Sequence, residues 1–169
     1  MAAIIIYYSR ADENYFGGEY RYVEVGNTEI IAGFIQRATG AELFKIEPLK
    51  PYAADYNTCI IEAKEDWRRK ARPELAAYPE SLDGYDTIYL GYPNYWGTAP
   101  MHLFSLLERY DFAGKTIRPF CTHEGSAMGH SEVDIQKACP NARIERGLAI
   151  YGSSVHGAEN IVKNWTLKS

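Results

Sequence analysis

The chain has 169 residues, of which 46% are hydrophobic and 24% charged. That is about one domain at roughly 150 residues each, and the composition excludes disorder. Lys and Arg number 18 against 22 Asp and Glu, a net charge of −4, and no patch of basic residues stands out, which argues against nucleic-acid binding through phosphate neutralisation. The 14 tyrosines are amphipathic rings of the kind that line sites for flat ligands. The apolar run after Met1 extends only from Ala2 to Ile6, too short for a signal-peptide core or a membrane span. Cys59, Cys121 and Cys139 are an odd set with no CxxC pair, and the histidines form no HExxH or Cys/His ladder. Free thiols in a reducing cytoplasm, and no metal centre, are the expectation.

The first element is a strand over residues 4–8, a continuous apolar run suited to burial on both faces. A polar stretch with Gly17-Gly18 follows, and the alternating residues 20–25 predict a small hairpin or flap within 11–25. From Asn27 the pattern is helical, with Ile31, Phe34, Ile35 and Ala38 on one side and Gly40 as the stop. A second strand over 42–47 is halted by Pro48, and residues 48–58 read as a loop. A helix carrying Ile60, Ile61, Lys64 and Trp67 runs toward Pro73. Residues 86–92 form a third strand, 101–110 a helix, 116–121 a fourth strand and 131–138 a short helix. A fifth strand over 143–151 and a helix over 158–165 complete the chain. Five strands interleaved with helices predict a single α/β domain, doubly wound, in which helices cover both faces of a parallel sheet.

In such sheets ligands sit beyond the carboxyl ends of the strands, where strand order reverses. Three loops lie there. After the first strand comes Ser9-Arg10, and the next helix opens at Gly26-Asn27-Thr28. These residues suit an ordinary N-cap and equally suit phosphate held at the helix's positive end. Neither a Walker loop nor GxGxxG is present. After the third strand comes Pro93-Asn94-Tyr95-Trp96-Gly97-Thr98-Ala99-Pro100. Its paired aromatics either cover the sheet end or offer a stacking face to a planar heterocycle, with Gly97 leaving the backbone open. After the fourth strand, Cys121-Thr122-His123-Glu124-Gly125-Ser126-Ala127-Met128-Gly129 supplies small donors and close backbone approach.

Taken together these loops resemble the flavodoxin family over essentially the whole chain, with the Trp-Gly-Thr-Ala-Pro segment closest to a branch of short flavodoxin-like proteins. The resemblance implies a three-layer sandwich with a five-stranded parallel sheet in the order 2-1-3-4-5. It also implies flavin mononucleotide (FMN) as cofactor. By that similarity Ser9, Asn27 and Thr28 hold the phosphate with Arg10 nearby. Pro93, Asn94, Tyr95, Trp96, Gly97, Thr98 and Ala99 flank the isoalloxazine, and His123, Glu124, Gly125, Ser126 and Gly129 hold its far edge. A peptide flip at Gly97 would change a hydrogen bond to the ring. The family's phosphate loop is a compact turn, so the insert at 11–25 departs from its pattern and puts Ser9 in question.

Two functions follow from the resemblance. One is a cytoplasmic electron carrier between redox proteins, whose mild acidity steers it to basic partners. The other is an NAD(P)H-dependent reductase of quinones or other small acceptors, as a monomer or a homodimer. A third reading, from the residues alone, is a thiol enzyme using Cys121 and His123.

Overall fold

The computed structural model describes residues 2–168. In chain order the elements are β1 (Ala2–Tyr7), β2 (Asp12–Phe16), β3 (Glu19–Val23), α1 (Asn27–Thr39), β4 (Glu42–Lys45), α2 (Tyr56–Arg68) and β5 (Tyr85–Pro93). They continue with α3 (Met101–Leu107), β6 (Thr116–His123), α4 (Ser131–Ala138), β7 (Arg143–Ile144), β8 (Leu148–Tyr151) and α5 (Glu159–Leu167). The main sheet is parallel and runs β4, β1, β5, β6, then β7 and β8 end to end along β6. The core order is therefore 2-1-3-4-5, with the fifth strand in two pieces. β2 and β3 form a separate antiparallel hairpin around Gly17-Gly18.

Side chains of successive strand residues point to opposite faces, and β1 splits accordingly. Ile4, Ile6 and Tyr8 join Ile88, Leu90, Tyr92 and Ile117 in a core closed by α3 and α4. Ile5 and Tyr7 join Tyr89, Phe120 and Ile150 beneath α1 and α5. Fully burying an aliphatic side chain of this size contributes about 1.5–3 kcal/mol, so the run at 4–8 feeds both layers at once. α2 opens at Asp55, whose carboxylate accepts from the Thr58 amide and hydroxyl at 2.8 and 2.7 Å. That N-cap starts the helix within the segment that sequence pattern assigned to a loop.

The expected fifth strand is interrupted at Glu145-Arg146-Gly147. β7 pairs with β6 at Thr116 and Ile117, and β8 resumes the pairing at Phe120. The gap faces Arg118 and Pro119. Pro119 has no amide hydrogen to offer a neighbouring strand, and the chain detours there, with the Gly147 amide donating to Glu132 Oε2 at 2.7 Å. Arg118 is buried, which demands partners. Its guanidinium donates to the carbonyl oxygens of Trp165 and Lys168, each at 2.7 Å, and approaches Glu145 Oε2 at 3.4 Å. β6 extends to His123, two residues past the predicted end, while α3 stops at Leu107 rather than 110. The last helix is preceded by a 3₁₀ turn, Gly152–Gly157.

His102 on α3 is 1% exposed, and among the described residues neither ring nitrogen finds a hydrogen-bond partner. Its ring stacks on Tyr8 at 5.3 Å and meets the edge of Tyr52 at 5.2 Å. Burial lowers its pKa from 6.5 to about 4, so the native protein refuses a proton that the unfolded chain accepts. Stability is therefore full above pH 6.5 and falls as the pH drops toward 4, with a slope of up to about 1.4 kcal/mol per pH unit. Denaturant unfolding at neutral and mildly acidic pH should show this loss in the wild type and a smaller loss in His102→Leu.

Candidate functional site

A cavity of about 330 Å³ opens at the carboxyl ends of β1, β5 and β6, within the size range of small-molecule sites. Its first wall is built where β1 meets α1. Ser9 Oγ accepts the Glu29 amide at 3.0 Å, which leaves the hydroxyl proton free to donate. Gly26, the residue before α1, supplies no side-chain cap to this 13-residue helix. The amides of Asn27 and Thr28 therefore stand at its positive end. A Cβ on Gly26 would lie 2.3 Å from Ser9 Oγ and 2.4 Å from the Arg10 carbonyl oxygen. The two ends of the 11–25 insert thus touch, and the insert leaves and rejoins the loop without opening it. The Thr28 hydroxyl is directed inward, where it shares a 2.8 Å hydrogen bond with Thr122 of β6.

The hairpin is fastened to the start of α2. The Arg10 guanidinium donates to the carbonyl oxygens of Glu13 and Ala54 at 3.0 and 2.8 Å, and the Glu13 carboxylate accepts the Tyr56 amide at 2.9 Å. Arg10 is thereby engaged in holding the insert. The fastening sets Asn14 and Tyr15 in the cavity wall beside Tyr56, whose ring stacks on Tyr15 at a centroid distance of 6.1 Å.

The second loop is a tight turn. Tyr95 and Thr98 exchange backbone hydrogen bonds at 2.8 and 3.2 Å, with Trp96 and Gly97 between them at φ +55° and +83°. Positive φ at both central positions is the type I′ pattern, which usually selects Asn-Gly. A tryptophan there is strained by roughly 1–3 kcal/mol, and its side chain is held from outside. The indole Nε1 donates to the Ile60 carbonyl at 2.9 Å, and the Lys64 ammonium lies 4.9 Å over the ring. Asn94 braces the turn, accepting from the Gly97 amide at 3.0 Å and donating to the Ala127 carbonyl at 2.9 Å. The Gly97 carbonyl accepts the His130 amide at 2.6 Å. A flip of the peptide that carries this carbonyl breaks that bond.

In the third loop, His123 Nδ1 accepts the Gly125 amide at 2.8 Å, and the ring packs on Tyr151 at 4.5 Å. Burial lowers the His123 pKa, favouring the neutral imidazole. Cys121 is 1% exposed within the core, and burial raises its thiol pKa far above neutral. A thiol that stays protonated is no nucleophile, so the thiol-enzyme reading falls. Among the described residues no cluster of His, Cys, Asp and Glu is arranged to hold a metal ion.

Of the residues singled out in the sequence, Arg10, Asn27, Pro93, Asn94, Tyr95, Trp96, Gly97, His123, Glu124 and Ser126 line the cavity. Ser9 lies behind Gly26 at the foot of α1. Thr98 is buried with its hydroxyl on Asp134 at 2.6 Å, Ala99 belongs to the core, and Gly129 packs against the Gly97 carbonyl. Gly125 serves the His123 ring through its amide rather than forming the wall. Sequence reasoning missed Asn14, Tyr15, Tyr56, Cys59, Ile60, Ala63 and Thr122 in the wall. The α2 set recurs at three- and four-residue spacing, a stripe the sequence does display.

This is a doubly wound α/β protein with a cavity at the strand-order reversal. The sequence profile of the flavodoxin family matches residues 20–168, and the chain belongs to that family. A candidate flavoprotein from Bacteroides uniformis is 28% identical, with 99% of this chain and 98% of that chain covered and a TM-score of 0.80. A flavoprotein from Lactobacillus acidophilus, solved in complex with FMN, shares the fold at 20% identity, with coverage of 94% and 98% and a TM-score of 0.65. The oxidised flavodoxin 2 of Bacillus cereus does so at 20% identity, with coverage of 99% and 100% and a TM-score of 0.56. No curated protein matches the chain.

Two alanine substitutions separate the closure at Gly26 from ordinary helix propensity. Gly26→Ala forces a Cβ into occupied space and should cost about 1–3 kcal/mol. Gly33→Ala, inside α1 with nothing near the new methyl, should stabilise by roughly 0.5–1 kcal/mol. Thermal unfolding followed by circular dichroism reads both signs.

Proposed function

We propose that this member of the flavodoxin family binds FMN and carries electrons between redox proteins, and that its Trp96-Gly97-Thr98-Ala99-Pro100 segment places it in a branch defined by that motif. The observation that carries the reading is one cavity bounded on one side by the Asn27 end of α1, where Gly26 supplies no cap, and on the other by a strained, pinned tryptophan turn. The donor set fits the cofactor. Amides at a helix N-terminus, with the Ser9 hydroxyl behind them, would hold a phosphate without lysines. Two polar atoms in the wall, the Tyr95 hydroxyl and Glu124 Oε1, are buried without a partner among the described residues, and a bound polar ligand supplies one.

FMN, when bound, supplies the one- and two-electron chemistry. The chain supplies position and surroundings. Trp96 and Tyr95 exclude water from the site and present electron-rich faces. The neutral His123 adds no positive charge. Ser9 and the first turn of α1 fix the phosphate end, and the braces from Asn94 and His130 keep the second loop in one shape. No helix among the described residues is long and apolar enough to cross a membrane. A second reading, reduction of quinones or other small acceptors by NAD(P)H, draws on the Tyr15–Tyr56 pair, which adds an aromatic wall suited to a second flat reactant.

Anaerobic reductive titration of the FMN-reconstituted protein decides between them. Two separated one-electron steps support the carrier. A single two-electron step driven by NAD(P)H supports the reductase, and failure to retain FMN overturns both. Trp96→Asn suits the turn better than the native residue, so the apoprotein should unfold within about 1 kcal/mol of wild type. FMN affinity should weaken by about tenfold, the equivalent of roughly 1.4 kcal/mol, in a fluorescence titration.

A further inference from the structure

We propose that the groove between α2, α3 and α4 is the docking surface for an acidic redox protein. The inference rests on the carrier reading and names the partner's surface. The groove encloses about 560 Å³ and adjoins the cavity through one turn, since Trp96 and Gly97 line the cavity and Thr98 lines the groove. Met101, Phe104 and Ala138 form apolar lining, and Trp67, 43% exposed, also borders it. An exposed tryptophan beside a concave apolar strip is the residue type that anchors protein contacts.

The charges around this groove run against the charge of the chain. Arg68, Lys70, Arg72 and Lys137 line it against only Glu108 and Asp134. Both carboxylates are engaged, Glu108 by Arg72 at 2.9 Å and Asp134 by the Thr98 hydroxyl at 2.6 Å. Lys64 extends the positive strip onto the Trp96 ring. Among the described residues, Lys64, Lys70 and Lys137 have no carboxylate within ion-pair distance. A protein of net charge −4 therefore gathers unpaired cations beside the turn that borders its redox site. Local charge of this kind governs encounter and orientation more than the net value does. The complementary surface is acidic and carries an apolar anchor.

Two measurements test this. In stopped-flow reoxidation of the reduced FMN protein, the rate with anionic ferricyanide should fall as salt is added, and the rate with cationic cobalt(III) hexaammine should rise. Both trends should flatten in the Lys70→Glu, Lys137→Glu double variant. The opposite salt trends would overturn the proposal, because the net negative charge would then control the approach. The apoprotein supplies a readout independent of flavin. A glutamate-rich peptide with one leucine face should shift the Trp67 indole signal in a nitrogen-labelled NMR titration, and the double variant should bind it about tenfold more weakly. No shift at Trp67, or a shift that survives the charge reversal, would overturn it. So would a Trp67 shift produced by 2′,5′-ADP and not by the peptide, which would make the groove a nucleotide site.

Discussion

The contact between Ser9 and Gly26 is the point on which the site depends. These residues sit at the two ends of an insert, and they meet only because Gly26 has no side chain to hold them apart. Their meeting delivers the Ser9 hydroxyl to the Glu29 amide and keeps the first turn of α1 facing the cavity. An anion site made of backbone amides requires that position and little else. In the proposed reading, a chain with a modest negative charge would hold a phosphate through dipoles and hydroxyls rather than through lysines. The lysines are then free to gather elsewhere on the surface.

The hairpin gains its place through the same economy of contacts. Arg10 turns away from solvent to hold the Glu13 and Ala54 carbonyl oxygens, so a cation beside the helix end becomes a structural clasp. The clasp brings Tyr15 against Tyr56 and converts a surface decoration into cavity wall. On the other side, Trp96 accepts an unfavourable backbone angle and is held there by Ile60 and Lys64 from α2. Strain retained at such a place, and resisted from outside, marks a position where the side chain matters more than the turn.

Much of this architecture is legible in the residues. The apolar run at 4–8 announces a strand buried on both faces, and the alternation around Gly17-Gly18 announces the hairpin. The Trp96 segment points to its own loop. What the chain conceals are couplings between distant positions. The Thr28–Thr122 hydrogen bond joins residues 94 apart and the Arg10–Ala54 bond residues 44 apart, so neither leaves a local pattern. Arg10 reads as a ligand contact from its neighbours and does line the cavity, while its bonds to the Glu13 and Ala54 carbonyl oxygens leave no local pattern. The break in the fifth strand is partly legible through Pro119 and Gly147, although periodicity alone runs across it. Net charge conceals most, since it averages away the lysines that lie beside one groove.

The interrupted fifth strand has a consequence for the protein's behaviour at high concentration. A sheet edge is a row of unpaired amides and carbonyls on which another chain can build. Here that edge offers two residues in β7, a detour, and then four in β8, while the opposite edge, β4, offers four that begin with Glu42 and end with Lys45. An incoming strand finds no long register on either side. The proline that disrupts the ladder inside the molecule also helps keep one copy from templating the next.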